Sequence, residues 1–159
     1  MAKVKPIPEG YHSVTPYLFI RGAARAIDFY KNVFGAKEKM RMPSPDGKLM
    51  HAELQIGDSV VMLADENPHS QAKSPETLGG VTNSILLYLE NVDSVVDNAV
   101  KAGARILRPT EDQFYGDRMG TILDPFGQMW SVATHIEDVS PEEMKKRMAN
   151  LASQAAAGS

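Results

Sequence analysis

The sequence predicts a single α+β domain built from two βαβββ modules, each with a curved mixed sheet. Three observations carry this. An apolar stripe at helical spacing occurs twice and stops each time at Gly-Ala: Ala23, Ile27, Tyr30 and Phe34 before Gly35-Ala36, and Val92, Val95, Val96 and Ala99 before Gly103-Ala104. A stripe ending in glycine is the pattern of a core-facing helix with a left-handed cap. Each stripe follows a strand-like run rich in aromatic and branched residues, Val14 to Ile20 in the first half and Ser84 to Leu89 in the second. Each is followed by hairpin-like sequence, and the halves keep step: Gly35 and Gly103 lie 68 positions apart, Gly57 and Gly127 lie 70 apart.

The elements follow in order. Residues 1–13 form a polar N-terminal extension, and 14–66 the first module. In that module Pro45-Asp46-Gly47 turns, His51 to Ile56 is a strand, Gly57-Asp58 turns again and Ser59 to Ala64 is a strand. Residues 67–80 hold Pro68, Pro75 and Gly79-Gly80 and read as a linker. Residues 81–138 form the second module, with strands at Ile106-Leu107, Thr121 to Leu123 and Met129 to Ile136 around the turn Asp124-Pro125-Phe126-Gly127. Residues 139–159 are a final helix and tail. Ser140 caps, Pro141 suits the first turn and Glu143 completes a capping box, with the helix expected to reach about Ala152 and to fray from Ala155.

Composition narrows the function. The chain has 159 residues, no cysteine and a formal net charge of -3. That length suits one domain, and thiolate metal sites and thiol nucleophiles are excluded. No basic stripe marks a nucleic-acid partner. The first ten residues lack the apolar core of a signal peptide, and no apolar run approaches the ~20 residues of a membrane span. A cytoplasmic location is the expectation.

The motifs resemble a known family. Thr15-Pro16-Tyr17-Leu18, Phe29-Tyr30, Met50-His51-Ala52-Glu53-Leu54, Ile56-Gly57-Asp58-Ser59, Phe114-Tyr115-Gly116-Asp117-Arg118, Asp124-Pro125-Phe126-Gly127 and Ala133-Thr134-His135-Ile136-Glu137-Asp138 are similar to the vicinal oxygen chelate superfamily. The nearest likeness is its glyoxalase/bleomycin-resistance, PhnB-like subfamily. The resemblance implies the glyoxalase/bleomycin-resistance/dioxygenase fold, a homodimer and a cup on the concave sheet faces. It leaves activity open, because the superfamily holds lyases, isomerases, dioxygenases and non-catalytic drug-binding proteins.

The resemblance also places metal ligands, usually His, Glu or Gln, on the first and last strands of each module. Carried over one by one, those positions fall at Thr15, Val61, Ser84 and Ser131. None is a usual ligand for a divalent ion, so no metal and no cofactor is expected. An atypical site from His51, Glu53 and His135 is the alternative. His12 and His69 read as solvated residues outside the strands. Where the subfamily is expected to carry His after Asp-Pro-Phe-Gly, this chain has Gln128, which cannot act as a general base near neutral pH. The nine methionines read as core filler.

The same carry-over assigns faces. Thr15, Tyr17 and Phe19 share one face, as do Ser84, Leu86 and Tyr88, Val61, Leu63 and Asp65, and Ser131, Ala133 and His135. The inferred cup is aromatic and aliphatic, as small-molecule pockets are. His51 and Glu53 share a strand face; they are functional if that face lines the cup and ordinary polar-out residues if it does not. The loop at 114–118 adds Tyr115 and Arg118, and Arg118 either clamps an anionic ligand or pairs with Asp117 to hold the loop. Trp130 alternates out of the cup into the core. The candidate ligand-binding set is therefore Tyr17, Phe19, His51, Glu53, Val61, Leu63, Leu86, Tyr88, Tyr115 and Arg118, with no catalytic residue assigned. The leading function is metal-independent binding of a small apolar or aromatic molecule in a cup between modules. The alternatives are a metal-dependent lyase, isomerase or dioxygenase with displaced ligands, acid/base chemistry by His51 with Glu53, and a dimer with no ligand.

Overall fold

The computed structural model describes residues 4–157. In chain order the elements are β1 (Tyr17–Ile20), α1 (Ala23–Phe34), β2 (Lys37–Pro43), β3 (Leu49–Ile56), β4 (Ser59–Asp65), α2 (Pro75–Leu78), β5 (Ser84–Tyr88), α3 (Val92–Lys101), β6 (Arg105–Asp112), β7 (Asp117–Leu123), β8 (Met129–His135) and α4 (Pro141–Ala157). They form two four-stranded sheets with orders β1-β4-β3-β2 and β5-β8-β7-β6. In each, the first strand runs parallel to the last and the other pairs are antiparallel. This is the expected pair of βαβββ modules.

The repeat extends to the helix starts. Asp65 at the end of β4 accepts hydrogen bonds from the backbone N–H of Gly22 and Ala23 at 2.8 and 3.0 Å, supplying α1 with its cap. Thr134 near the end of β8 accepts from Val92 N at 2.9 Å and, beside the Asn91 side-chain cap, helps close the start of α3. Both satisfy orphan donors of a first helical turn. α1 ends at Gly35, in the left-handed region at φ 66, a conformation glycine adopts without steric cost. Three details differ from the sequence expectation. The linker contains the single turn α2, capped by the fully buried Ser74. α4 runs on to Ala157, because its alanines are the best helix formers. Ser140 caps α4 by accepting from Glu143 N, but the Glu143 carboxylate pairs with Arg147 instead of closing the box. Among the described residues no helix is long and apolar enough to cross a membrane.

The modules meet through their helix-facing sides. Leu18, Leu54 and Leu63 of the first sheet share one apolar core with Ile122, Trp130 and Val132 of the second. α1 joins them. Its Tyr30 and Phe34 rings lie 5.1 and 4.9 Å from Trp130, and Phe29 lies 6.2 Å from Phe126. At the centre, the buried Asp124 carboxylate accepts from Tyr30 OH at 2.7 Å and from Trp130 Nε1 at 2.9 Å. Its other oxygen takes the N–H groups of Phe126 and Gln128, both at 2.9 Å. Burial raises the Asp124 carboxyl above its ordinary range even against these four donors. Trp130 is fully buried, as its alternation predicts.

Removing one donor from a buried carboxylate is costly. Tyr30→Phe should destabilise the chain by about 1–3 kcal/mol, read as a lower urea midpoint at unchanged slope. An unchanged midpoint would mean that this inter-module bond contributes nothing.

Candidate functional site

Alternation along the strands leaves one open face on each sheet. In the first, Leu18 and Ile20 point into the core, so Tyr17 and Phe19 point out. Register then identifies their neighbours. Tyr17 pairs with Met62, Met62 with Glu53, Glu53 with Met40 and His51 with Met42. Tyr17, Phe19, His51 and Glu53 therefore share a face.

The expectation for Val61 and Leu63 is corrected. Leu63 pairs in parallel with Leu18, and Val61 and Leu63 sit in the core at 2% and 0% exposure. The cause is turn length. β3 and β4 are joined by the two residues Gly57-Asp58, whereas β7 and β8 are joined by five, Asp124 to Gln128. The two glycines therefore stand at different places in their turns, and counting four residues onward reaches the core in one module and the open face in the other. The position equivalent to Ser131 is Met62.

The open face of the first sheet carries a continuous chain of polar contacts. Tyr17 OH lies 2.7 Å from His51 Nδ1, and His51 Nε2 lies 3.0 Å from Glu53 Oε1. Tyr11 OH donates to the other Glu53 oxygen. Glu53 is 8% exposed. The Tyr11 hydroxyl and then His51 hold its carboxyl below the usual carboxylate range. Partial burial, helped by Glu53, pushes the Tyr17 phenol up. Tyr17 stacks on Phe19 with ring centres 5.0 Å apart, and both line a cleft of about 650 Å³ under the Ser44–Asp46 turn and Pro68.

The second sheet has its own cluster at its far end. Leu86 and Tyr88 are 49% and 58% exposed. Tyr88 OH donates to Asp117 Oδ2 at 2.7 Å, and His135 Nδ1 meets Asp117 Oδ1 at 2.7 Å. His135 Nε2 reaches Asp138 at 2.9 Å. Asp117, then Asp138, raises the His135 pKa. Tyr115 donates to Met119, whose register partner Ala133 lies on the open face. The loop is held as expected by Gly116. A Cβ there would stand 2.1 Å from the Glu137 carbonyl oxygen, and φ is +99.

Arg118 does not belong to this face. Its guanidinium bonds Asp93 of α3 twice, at 2.8 Å, and Asp112 at 2.7 Å. It pairs in register with Thr134, the residue that caps α3. Arg118 is held structurally, as one sequence reading expected, but by Asp112 and Asp93 rather than by Asp117, which bonds Tyr88 and His135 instead. Gln128 is buried and bonds Asn83 at 3.2 Å, tying the turn to the start of β5.

Sequence reasoning missed Tyr11, which reaches the sheet from the N-terminal extension, and misread the methionines. No described methionine is buried. Met40, Met42 and Met62 lie on the first open face, and Met119 and Met129 on the second. Met40 and Met42 flank Arg41 at strand spacing, a signal that needed only the β2–β3 register.

Among the described residues no hydrogen bond or ring contact joins the two faces. Their polar and aromatic contacts stay inside their own modules, while the inter-module ring contacts and the Tyr30–Asp124 bond lie on the helix side. The positions that resemblance assigns to metal ligands are Thr15, Ser84, Ser131 and, once register replaces Val61, Met62. The two serines hydrogen-bond each other at 3.0 Å. Hydroxyls and a thioether are a poor donor set for a hard divalent ion. Among the described residues no three His, Asp or Glu side chains gather to hold a metal, and the two carboxylates on His135 bond opposite ring nitrogens.

A raised histidine pKa makes stability depend on pH with a fixed sign. The His135 contribution is fully present below its ordinary value of 6.5 and is lost as pH rises through the raised folded value. Denaturation of His135→Gln against the parent should show the larger deficit near about pH 5.5 and a smaller one near about pH 8.5. A deficit that grows with pH would contradict the two carboxylate contacts.

Residues 11–132 match the Glyoxalase/Bleomycin resistance protein/Dioxygenase superfamily. An uncharacterized protein of Mycobacterium bovis is 40% identical over 141 residues, covering 87% of this chain and 93% of that protein. Two crystal structures share the fold at 26% identity. TioX from Micromonospora sp. ML1 has a TM-score of 0.62, covering 79% of this chain and 99% of its own. An Arabidopsis thaliana gene product has a TM-score of 0.63, covering 77% and 98%. The chain belongs to the Glyoxalase/Bleomycin resistance protein/Dioxygenase superfamily.

Proposed function

We propose that this chain is a cytoplasmic, metal-independent binding protein for a small, mostly apolar or aromatic molecule. Its cup is completed when the open sheet of one copy meets the opposite module's open sheet of a second. One observation carries the reading: two exposed faces bear aromatic and methionine side chains around polar clusters, and the chain's own packing keeps them apart. Methionine is flexible and polarizable, so it conforms to ligands of differing outline and contacts aromatic rings well. Such faces suit a family of related compounds better than one shape. The donor sets on both faces supply no conventional metal site.

The magnitudes are adequate. A ring stacked on Tyr17 or Tyr88 gains about 0.5–1.5 kcal/mol beyond area burial, and each buried methylene about 0.8 kcal/mol. A modest contact set then reaches micromolar affinity, near about -8 kcal/mol. Two-fold pairing is the common closed solution for such a surface.

A thermal-shift screen of small aromatic compounds should yield hits whose affinity falls by roughly tenfold or less in Tyr17→Ala and in Tyr88→Ala. Hits unaffected by either change would mean binding elsewhere. Light scattering should give a dimer. Mixing the two variants and letting subunits exchange should restore tight binding in about one cup in four, because a mixed dimer has one cup with both tyrosines intact. No restoration would place the cup within one chain. Metal analysis of protein purified without chelator should give well under one ion per chain; a stoichiometric ion lost in His51→Ala would overturn the metal-independent reading.

A further inference from the structure

The first open face carries more polar organisation than binding an apolar molecule requires. We propose that Tyr17, His51 and Glu53 form a proton relay. The relay moves a proton on a bound aromatic carbon acid, a small molecule with an acidic C–H beside a carbonyl. This rests on the binding reading above and adds an isomerase-type activity to it.

Donor and acceptor roles follow from the geometry. An ionised carboxylate only accepts, so Glu53 Oε1 takes the proton of His51 Nε2 across 3.0 Å. In the neutral ring Nδ1 is then the acceptor, and it takes the Tyr17 hydroxyl proton across 2.7 Å. The order is carboxylate, imidazole, hydroxyl, the arrangement by which an oriented base activates a hydroxyl. Tyr11 donates to the second Glu53 oxygen and keeps the carboxylate ionised. Anchoring the N-terminal segment needs only the Tyr11–Glu53 bond. Extension through His51 to Tyr17 carries the network to the wall of the 650 Å³ cleft.

The relay balances with protons alone. The phenol oxygen takes the substrate's C–H proton as its own proton passes to His51 Nδ1. The imidazolium stands against the Glu53 carboxylate, and the substrate becomes an enolate. Return along the same path delivers a proton to the oxygen or to a neighbouring carbon. The two transfers are concerted, because Tyr17 holds its proton more firmly than a free phenol. No oxidant, leaving group or water is consumed. A neutral imidazole is a weak base, so the C–H must be acidified by an adjacent carbonyl. Phe19, Pro45 and Met50, which line the same cleft as Tyr17, supply the apolar wall that suits an aryl group.

Three probes test the relay: phenylpyruvate, phenylacetone and benzoylacetone, each followed in D2O by loss of the proton signal next to the carbonyl. Binding of the same probe is measured in parallel by saturation transfer. The parent protein should speed exchange of at least one probe by about a hundredfold over buffer. Tyr17→Phe should return exchange to the buffer rate while binding changes by no more than about threefold. Glu53→Gln keeps a hydrogen-bond acceptor but loses the charge, and should slow exchange at least tenfold with binding kept. Binding without exchange, or equal exchange by the parent and Tyr17→Phe, overturns the relay and leaves the binding function standing. If no probe binds, the substrate class is wrong and the inference falls with it.

Discussion

A single buried carboxylate organises this molecule. Asp124 collects four donors, and two of them, Tyr30 and Trp130, come from different modules. A buried charge is tolerated only when its hydrogen-bonding capacity is met, so α1 is held in register against the second sheet. The rings around it fill the remaining space: Phe34 stacks on Tyr30 and tilts against Trp130. Once the modules are joined by their helix sides, the opposite sheet faces have no partner within the chain. The exposure of Tyr17, Leu86 and Tyr88 follows from what Asp124 holds together.

Much of this was legible in the sequence because it depends on periodicity. The 3.6-residue stripes found α1 and α3, and strand alternation sent Trp130 inward and Tyr17 outward. The failures lie where periodicity does not decide: register, for one, cannot be counted across turns of unequal length. Val61 was placed by distance from Gly57, and the two-residue turn shifted it to the other face. Arg118 was assigned by its loop, whereas its direction is set by pairing with Thr134. Tyr11 lies outside any periodic segment and reaches Glu53 only in three dimensions. The methionines were read by hydrophobicity, which does not distinguish the core from an apolar open face.

The repeat persists in the core and at the helix starts and lapses on the open faces. Asp65 and Thr134 occupy equivalent strand ends, 69 positions apart, and both cap a helix. Val61 and Trp130 are likewise equivalent core positions. On the open faces the equivalences dissolve: Tyr17 corresponds to Leu86, and Glu53 to Thr121 through their partners Met62 and Ser131. Helix capping and core packing impose the same demand on both modules, so they keep the same solution. An open face has no such demand from the fold.

That divergence bears on how a ligand would lie in the proposed cup. One wall would hold the Tyr17–His51–Glu53 chain in mid-sheet, and the other would hold Leu86 opposite apolar or hydroxyl neighbours, with its charged cluster at the far end around Asp117. Desolvating a polar group costs free energy unless it finds a partner, so a molecule with one polar end and one aromatic end has a preferred direction between unlike walls. Its polar atom belongs beside the phenol of Tyr17, which is where the relay would act, and its apolar body lies against Leu86 and the methionines. Two identical walls would impose no such order. The asymmetry of the open faces would therefore supply the orientation that the proposed proton transfer requires, whereas the symmetry of the core supplies only the scaffold.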